Sequence, residues 1–413
     1  MIKKMFSSEL AKGSIYLSIM LLIFNFFNFI FQFLMASMLG PEDYGVFAVL
    51  ISIFYFMAIP MSSIEMLMSK YTSKFKVKKE HGKIKYLLSK IFSKGIKLSA
   101  VLFILLIPLM FAFSYFLKID FFLLILTSSL IFFIFTLPAI RGVMLGMKQF
   151  VALGGNFIIE GLLKLLAATF LIFIGLRVYG AIIGIIFGTI AAMIFSFIPI
   201  RKIIQSKKER AENLYLFSQS SKIFFAFVAI LLFQSIDIIL AKRFFSPEMA
   251  GQYAVANLLG KIIFFGTFAV TKVMFPIASE NHEFGNKTGS IFMKSLSIVA
   301  VLSTLVVLVY ALFPEIIITL LFGAEYLVIS EIVVYMGVAF TLISFSAITL
   351  MYAISINKGL KIWHLLVFFF SQILILTLLN NSLFSFSIGM VFSGAIIFIF
   401  SLLIVMKKNV NQS

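Results

Sequence analysis

Residues 41–49 read Pro-Glu-Asp-Tyr-Gly-Val-Phe-Ala-Val, and residues 247–255 read Pro-Glu-Met-Ala-Gly-Gln-Tyr-Ala-Val. The two stretches lie half a chain apart in a sequence of 413 residues, which indicates a duplicated unit. The ends of the two halves agree, because residues 183–187 (Ile-Gly-Ile-Ile-Phe) are echoed by residues 388–392 (Ile-Gly-Met-Val-Phe). Units of solenoid arrays are about 20 to 50 residues long. A repeat of half a chain therefore predicts two equivalent helical bundles.

The composition places the chain in a membrane. Hydrophobic residues make up 62% of it and charged residues 12%, whereas a soluble domain is about half apolar and about a quarter charged. The chain contains no cysteine, which excludes disulfides and thiol chemistry, and its three histidines are too scattered to suggest a metal site. We therefore predict an all-α polytopic membrane protein.

Twelve apolar runs are long enough to cross a bilayer, which takes about 20 residues each. Six fall in each half. We predict an N-terminal six-helix bundle over residues 1–200, a cytoplasmic linker over 201–222 and a C-terminal six-helix bundle over 223–413. The first run is too long for a cleavable signal peptide. The predicted spans are 14–39, 44–69, 96–117, 121–146, 150–176, 181–200, 223–244, 251–276, 290–313, 328–355, 362–380 and 386–406.

The bases are divided unequally between alternate connections. One side receives most of the 34 Lys and Arg, including ten lysines within residues 70–97, whereas the other side holds only Lys118, Arg177, Lys242 and Arg243. Basic connections stay in the cytoplasm. We therefore predict a multi-pass plasma-membrane protein with cytoplasmic termini, external Pro-Glu turns and parallel repeats about an axis along the membrane normal. Bases in short segments between apolar runs do not indicate a nucleic-acid partner.

Three local patterns predict structure. Residues 83–97 read as a basic amphipathic helix on the anionic inner leaflet, with Leu87, Leu88, Ile91 and Phe92 on its apolar side, and a solvated lysine-rich loop is the alternative. In the second Pro-Glu turn, Ser246 is expected to cap the helix that Pro247 begins, a structural role that we favour over substrate contact. A glycine repeat in the sixth span predicts close helix packing at Gly180, Gly184 and Gly188.

Polar side chains within the apolar runs are the clearest functional signal, because groups at membrane depth are costly and usually face a cavity. Each half carries a polar stripe, which we expect to face a common central cavity: Asn25, Asn28 and Gln32 share a face of the first span, and Gln234 and Asp237 share a face of the seventh. The predicted substrate-binding residues are Asn25, Asn28, Gln32, Lys164, Gln234, Asn257 and Lys261, and the predicted ion-coupling residues are Asp237 and Glu160.

The charged members of these sets leave alternatives open. Glu160 and Lys164 are spaced i, i+4 and can pair along one helix, either as a neutralised structural pair or as a functional one. Asp237 and Lys261 have no partner close in sequence, so they either face a hydrated lumen or pair with each other across helices. No nucleotide-binding or catalytic motif is present. Transport would therefore draw on ion gradients, membrane potential or the substrate's own gradient.

The sequence resembles the polysaccharide-export flippases over essentially its whole length. The resemblance rests on residues 39–45 (Leu-Gly-Pro-Glu-Asp-Tyr-Gly), on residues 140–146 (Ile-Arg-Gly-Val-Met-Leu-Gly) and on Asp237 followed by Gly251-Gln252-Tyr253. It implies two six-helix lobes around a central cavity and alternating access for an isoprenoid-diphosphate-linked oligosaccharide. On this resemblance we expect a monomeric, non-enzymatic antiporter that uses H⁺ or Na⁺, contacts membrane lipids and works with glycan-assembly enzymes.

Three other functions remain open. A multidrug extruder of the same fold would be expected to carry a carboxylate in the first span, where this sequence has only the amides Asn25, Asn28 and Gln32 and no Asp or Glu. A membrane-embedded glycan polymerase or ligase would need a long external loop, and the longest here, 314–327, has only Glu315 and Glu325 as titratable groups. A scaffold protein would not need polar stripes in both halves.

The predicted topology can be checked by labelling single cysteines in intact cells with an impermeant maleimide, since the native chain has no cysteine. The asymmetry of the bases places positions 43 and 248 outside and positions 78, 208 and 408 inside. We expect cysteines at Asp43 and Glu248 to react, and those at Lys78, Lys208 and Lys408 to react only after permeabilisation. The reverse pattern would invert the topology.

Overall fold

The structure is a computed structural model that describes residues 9–58, 60–211, 233–356, 358 and 362–406. All regular secondary structure within these residues is helical. Eight helical stretches of the described chain are long and apolar enough to cross a membrane. The protein is therefore an all-α polytopic membrane protein. The count of twelve spans stays a prediction, in part because residues 223–232 of the seventh lie outside the described residues.

The first half of the chain forms long helices with short connections. Gly40, with a φ of 69°, kinks the first helix between the first two predicted spans. A π-helical turn, Ile172–Leu176, joins α6 to α7. The helices are α1 (Glu9–Ala58), α2 (Pro60–Val77), α3 (His81–Leu117), α4 (Phe121–Ser128), α5 (Ile131–Gly146), α6 (Phe150–Leu171), α7 (Arg177–Ser196) and α8 (Arg201–Gln205).

The second half continues the pattern. The connection 314–327, expected to be a loop, is largely helical, because α12 is followed directly by a 3₁₀ segment, Ala324–Glu331. The helices are α9 (Ile236–Phe244), α10 (Pro247–Glu283), α11 (Gly289–Leu312), α12 (Pro314–Phe322), α13 (Val333–Ser355), α14 (Ile362–Leu378) and α15 (Leu383–Met406).

The chain divides into two compact units. Of the described residues, the first unit takes those up to Leu39 and 53–211, and the second takes Gly40–Ser52 and all residues from Phe233 onwards. The first Pro-Glu turn therefore belongs to the same unit as the second half. Its Gly45 lies against the second turn, where a Cβ on Gly45 would come within 2.8 Å of the Gly251 nitrogen. The predicted domain boundaries at 200 and 222 stay predictions.

Two local predictions are confirmed. The Ser246 side chain accepts a hydrogen bond of 3.3 Å from the Met249 nitrogen and so caps α10, which begins at Pro247. The glycine repeat lets α7 pack closely on α6, because a Cβ on Gly188 would lie 2.7 Å from the Lys164 Cβ. This contact brings α7 against the part of α6 that carries charge.

The interpretation of residues 83–97 is half right. They are helical, as the first turns of α3, which excludes the lysine-rich loop. Their apolar side, however, does not face lipid. Leu87 and Leu88 are buried in the core of the first unit, where they join Tyr71, Met144 and Ile203 in one apolar cluster. The prediction of an apolar face on the inner leaflet is therefore wrong, because the protein's own helices cover that face.

Candidate functional site

The first unit buries an arginine between α5 and α6. Arg141 of α5 is only 5% exposed. Its Nε donates a hydrogen bond of 2.9 Å to Asn156 Oδ1, and its guanidinium forms a salt bridge of 2.5 Å with Glu160 Oε2. Both partners lie on α6, one turn apart. A guanidinium that reaches a carboxylate and an amide in this way has its charge neutralised and its donors engaged.

Two further contacts fix this network. The guanidinium of Arg141 lies 3.9 Å from the centre of the Phe157 ring, within the range of a cation–π contact. The amide nitrogen of Asn156 donates a hydrogen bond of 2.6 Å to the Ala192 carbonyl of α7. Asn156 therefore links three helices, and the arrangement holds Glu160 in one place.

Lys164 lies one turn beyond Glu160 on α6 and has different partners. Its ammonium donates a hydrogen bond to Asn28 Oδ1 of α1. It also lies 4.6 Å from the centre of the Phe31 ring and 6.0 Å from that of Phe24. The lysine is 9% exposed. The groups that contact its ammonium, an amide oxygen and two ring faces, are all neutral, and Glu160 attracts it without forming an ion pair.

These contacts correct two expectations. The predicted Glu160–Lys164 salt bridge does not form in the described chain, because Arg141 takes the carboxylate, although Glu160 still attracts Lys164 electrostatically. Arg141 belongs to the bases assigned to the cytoplasmic side by the asymmetry of the connections, yet its side chain is buried. It lies near the end of an apolar run, where spacing alone does not predict whether a side chain faces the cytoplasm or the protein interior.

The second unit buries a carboxylate between α9 and α10. Asp237 of α9 is fully buried. Its Oδ2 accepts a hydrogen bond of 2.8 Å from the Tyr253 hydroxyl and one of 2.5 Å from Asn257 Nδ2, both on α10. Two buried oxygens, Asp237 Oδ1 and Asn257 Oδ1, have no hydrogen-bond partner among the described residues. They are the acceptors that a small cation or a proton would use.

Lys261 lies one turn beyond Asn257 on α10 and is 8% exposed. It attracts Asp237 electrostatically, but no ion pair within 4.0 Å joins the two in the described residues. Gln234 is also buried, and its Nε2 has no hydrogen-bond partner in the described part of the chain. Asp237 and Lys261 therefore attract each other without forming a direct ion pair, and the hydrated lumen stays a prediction.

The polar stripe predicted on the first span is only partly engaged. Asn28 reaches Lys164, and Gln32 hydrogen-bonds the Tyr55 hydroxyl within α1. Asn25 is exposed and joins neither network. Asn28 is thus the member of this stripe that the structure brings to a charged group.

Several residues of the two networks were missing from the sequence-based set. The missed residues are Arg141, Asn156, Phe157 and Tyr253. A signal for some of them was present, because Asn156, Glu160 and Lys164 recur every four residues on α6, as do Tyr253, Asn257 and Lys261 on α10. Residues spaced i, i+4 and i+8 share one face of a helix. Each stripe ends in a lysine.

The described residues hold no group of three or more His, Cys, Asp or Glu side chains placed to bind a metal ion. A structural or catalytic transition-metal centre needs about four such ligands, or three with an open position. The two networks offer charge and hydrogen bonds: the first buries Arg141 and Lys164, and the second buries Lys261 together with an acid and an amide oxygen.

Fold comparison identifies the structural class. The chain has the fold of the MOP superfamily of transporters. An inward-facing multidrug resistance MATE family transporter matches with a TM-score of 0.72 and 13% identity, over 95% of this chain and 97% of its own. The lipid II flippase MurJ, in an inward closed conformation, matches with a TM-score of 0.69 and 16% identity, over 95% and 88%. A MOP superfamily transporter from Pyrococcus furiosus matches with a TM-score of 0.62 and 13% identity, over 95% and 94%.

The sequence itself carries the narrower assignment. A family profile described as "Polysaccharide biosynthesis protein" matches residues 10–282, which is more than half of the chain. The chain belongs to this polysaccharide biosynthesis protein family, and the resemblance noted in the sequence is confirmed. No curated protein sequence matches it detectably.

The salt bridge between Arg141 and Glu160 should stabilise the first unit strongly. Removing one partner of a buried pair leaves the other charge uncompensated, at about 3 to 5 kcal/mol. We expect Arg141→Met to lower the temperature at which the detergent-purified protein aggregates, as followed by size-exclusion chromatography. Combining it with Glu160→Leu should restore much of the loss.

The matched control is the more exposed pair Lys83–Glu80, whose side chains are 31% and 25% exposed. Such pairs contribute about 1 kcal/mol or less. Lys83→Met should therefore change the aggregation temperature little. Equal effects of Lys83→Met and Arg141→Met would show that burial of the Arg141 network adds nothing.

Proposed function

We propose that the protein is a flippase that moves an isoprenoid-diphosphate-linked oligosaccharide from the inner to the outer leaflet by alternating access, for surface polysaccharide synthesis. The observation that carries the proposal is that the polar stripes of α6 and α10 each end in a buried lysine, Lys164 and Lys261. Neither Lys164 nor Lys261 forms an ion pair with a carboxylate among the described residues. A buried cation without a direct counterion favours an anionic ligand.

The energetics support a diphosphate as that ligand. Removing an ammonium from water has an effective penalty of several kcal/mol, which neutral partners offset only in part. Asn28 and Phe31 give Lys164 one hydrogen bond and one ring face, so two of its three N–H donors remain for a substrate. Lysine binds phosphate as a point charge. A diphosphate would supply both the charge and the acceptors.

The remaining polar residues fit a glycan. Asn25, Asn28, Gln32, Gln234 and Asn257 are amides, which both donate and accept hydrogen bonds and so match sugar hydroxyls. We assign them to the substrate together with the two lysines. Family membership supports a role in polysaccharide synthesis. One fold neighbour is described as a lipid II flippase and others as multidrug transporters, so this fold serves both kinds of transport.

We assign ion coupling to Asp237, with H⁺ or Na⁺ as the coupling ion. It is the buried carboxylate with an unpartnered oxygen in the described chain, and Asn257 Oδ1 is a second free acceptor on α10. Glu160, the other predicted coupling residue, is neutralised by Arg141. We therefore rank Glu160 second, as a group that can bind the coupling ion only if its salt bridge with Arg141 opens.

The setting follows from the proposal. The protein would act as a monomer in the plasma membrane, with both termini in the cytoplasm, as a non-enzymatic antiporter alongside the enzymes that build the glycan. The second candidate is a multidrug extruder, which the fold neighbours favour. Against it stands the first predicted span, which carries the amides Asn25, Asn28 and Gln32 but no carboxylate.

The proposal predicts that the two lysines act through charge. We expect Lys164→Gln and Lys261→Gln each to slow flipping of a labelled isoprenoid-diphosphate oligosaccharide in proteoliposomes about tenfold or more, equivalent to about 1.4 kcal/mol in the barrier. Lys164→Arg and Lys261→Arg should retain more activity, because the charge is kept. Lys118→Gln, at an exposed lysine in a connection, is the control and should behave as wild type.

Two outcomes would count against this assignment. Normal flipping by both Gln variants would remove the role of the buried cations. If the wild-type protein moved an organic cation such as ethidium but not the lipid-linked glycan, the multidrug extruder would replace the flippase.

Coupling at Asp237 is tested by a double substitution. If Asp237 and Lys261 only balance each other's charge, Asp237→Asn combined with Lys261→Arg should lose transport, whereas Asp237→Asn with Lys261→Gln should restore it. If Asp237 binds the coupling ion, both double variants should lose the stimulation of flipping by an imposed pH or sodium gradient. Tyr253→Phe is the control, because it removes one hydrogen bond to Asp237 but keeps the acid. Full gradient stimulation in Asp237→Asn would rule out the coupling role.

A further inference from the structure

The first unit carries a strongly basic exposed region at the start of α3. A segment of the predicted linker, residues 206–210, docks on it. The Glu209 nitrogen donates a hydrogen bond of 3.2 Å to the Gly82 carbonyl, and the Lys85 ammonium donates one of 2.9 Å to the Ser206 carbonyl. Gly82 is buried, and a Cβ there would collide with the Lys207 carbonyl. Close backbone contact therefore holds the two parts together.

Docking merges the bases of both segments into one surface. Lys90 of α3 and Lys208 of the linker segment lie 5.8 Å and 5.6 Å from the centre of the same ring, that of Tyr86. We call the surface formed by Lys90, Lys94, Lys97, Lys207, Lys208 and Arg210 the basic platform. None of its six bases forms an ion pair with a carboxylate among the described residues: the nearby Glu80 pairs with Lys83, and the side chain of Glu209 packs against Gly82.

The position of the basic platform relative to the lipid bilayer follows from the residues of α3. Lys90, Lys94 and Lys97 lie on one face of the helix, and the same face continues with Val101 and Leu105. Those two apolar residues are 54% and 66% exposed, so on a helix that crosses a membrane they face the acyl chains. Lys97 precedes Val101 by about one turn, roughly 6 Å. The lysines are therefore at the level of the lipid headgroups.

We propose that the basic platform binds the anionic headgroups of phospholipids in the adjoining leaflet. Clusters of about four to eight bases next to a membrane-spanning helix bind anionic lipid. The position of the lysines favours lipid over an acidic protein, because a stripe that runs straight into lipid-facing residues is already bordered by headgroups. Since the linker segment contributes half of the bases, bound lipid would also hold that segment on α3.

The test uses the full-length purified protein and short-chain lipid in detergent. We expect dioctanoyl phosphatidylglycerol to bind, as measured by microscale thermophoresis, and dioctanoyl phosphatidylcholine not to bind. The triple variant Lys90→Gln, Lys94→Gln and Lys97→Gln should weaken binding by about fivefold per lysine at low salt. The triple arginine variant at the same positions should bind as wild type, and aggregation temperatures should show that each variant is folded.

A matched control removes the same charge elsewhere. Lys272, Lys287 and Lys294 are exposed lysines of the second unit on the same predicted side of the membrane. Changing all three to Gln should leave phosphatidylglycerol binding intact. An equal loss in both triple variants would show that the basic platform has no special role. Binding of poly-glutamate, but not of phosphatidylglycerol, would replace lipid by an acidic protein.

A final variant tests whether the linker segment contributes. Gly82→Val should displace residues 206–210 while leaving the three lysines of α3 in place, since the added side chain would occupy the position of the Lys207 carbonyl. We expect it to weaken phosphatidylglycerol binding to an intermediate degree. Wild-type affinity in Gly82→Val would show that the platform is not composite and would overturn this part of the proposal.

Discussion

Charge inside an apolar helical protein must be neutralised or hydrogen-bonded. In both units an asparagine on a different helix, packed against the charged group, supplies a hydrogen bond. Asn156 accepts from Arg141 and donates to α7, and Asn257 donates to Asp237. Asn28 accepts from Lys164. An amide can donate and accept at once, so it joins a charged side chain to a neighbouring helix without adding charge of its own.

The fold could be predicted largely from hydrophobic runs, because lipid and core select the same residues. The start of α10 was right, since a serine followed by proline is a strong helix-start signal. The sequence did not predict whether protein or lipid covers each apolar helix face. The sequence shows that Leu87 and Leu88 are apolar, but only the packing of α3 on the first unit decides that protein and not lipid covers them.

The sequence predicted which charged residues form the candidate site, but not which residues they contact. Asp237, Lys261, Glu160 and Lys164 all stood out as charges in apolar runs. Helix packing determines their partners, however. Spacing along α6 suggested Lys164 as the partner of Glu160, whereas the structure pairs Glu160 with Arg141. Arg141 competes for the same carboxylate with a planar guanidinium that also engages Asn156 and Phe157, which a lysine on the same helix cannot match.

The two lysines are consequently not equivalent, and the difference bears on coupling. Lys164 is attracted by Glu160, whose charge Arg141 already balances, whereas Lys261 is attracted across a gap by Asp237. A proton or cation on Asp237 would therefore take the Asp237–Lys261 pair from neutral to positive. Local electrostatics alone then makes the coupling ion and an anionic substrate favour each other's binding, and this reciprocity is thermodynamically required. Antiport requires a coupling free energy of the opposite sign, so that ion and substrate disfavour each other's binding. That sign can come only from a conformational preference, in which the ion-bound and substrate-bound forms favour different states of the protein. Asp237 is placed for that, because its hydrogen bonds to Tyr253 and Asn257 join α9 to α10, so a change in its charge acts on the contact between two helices.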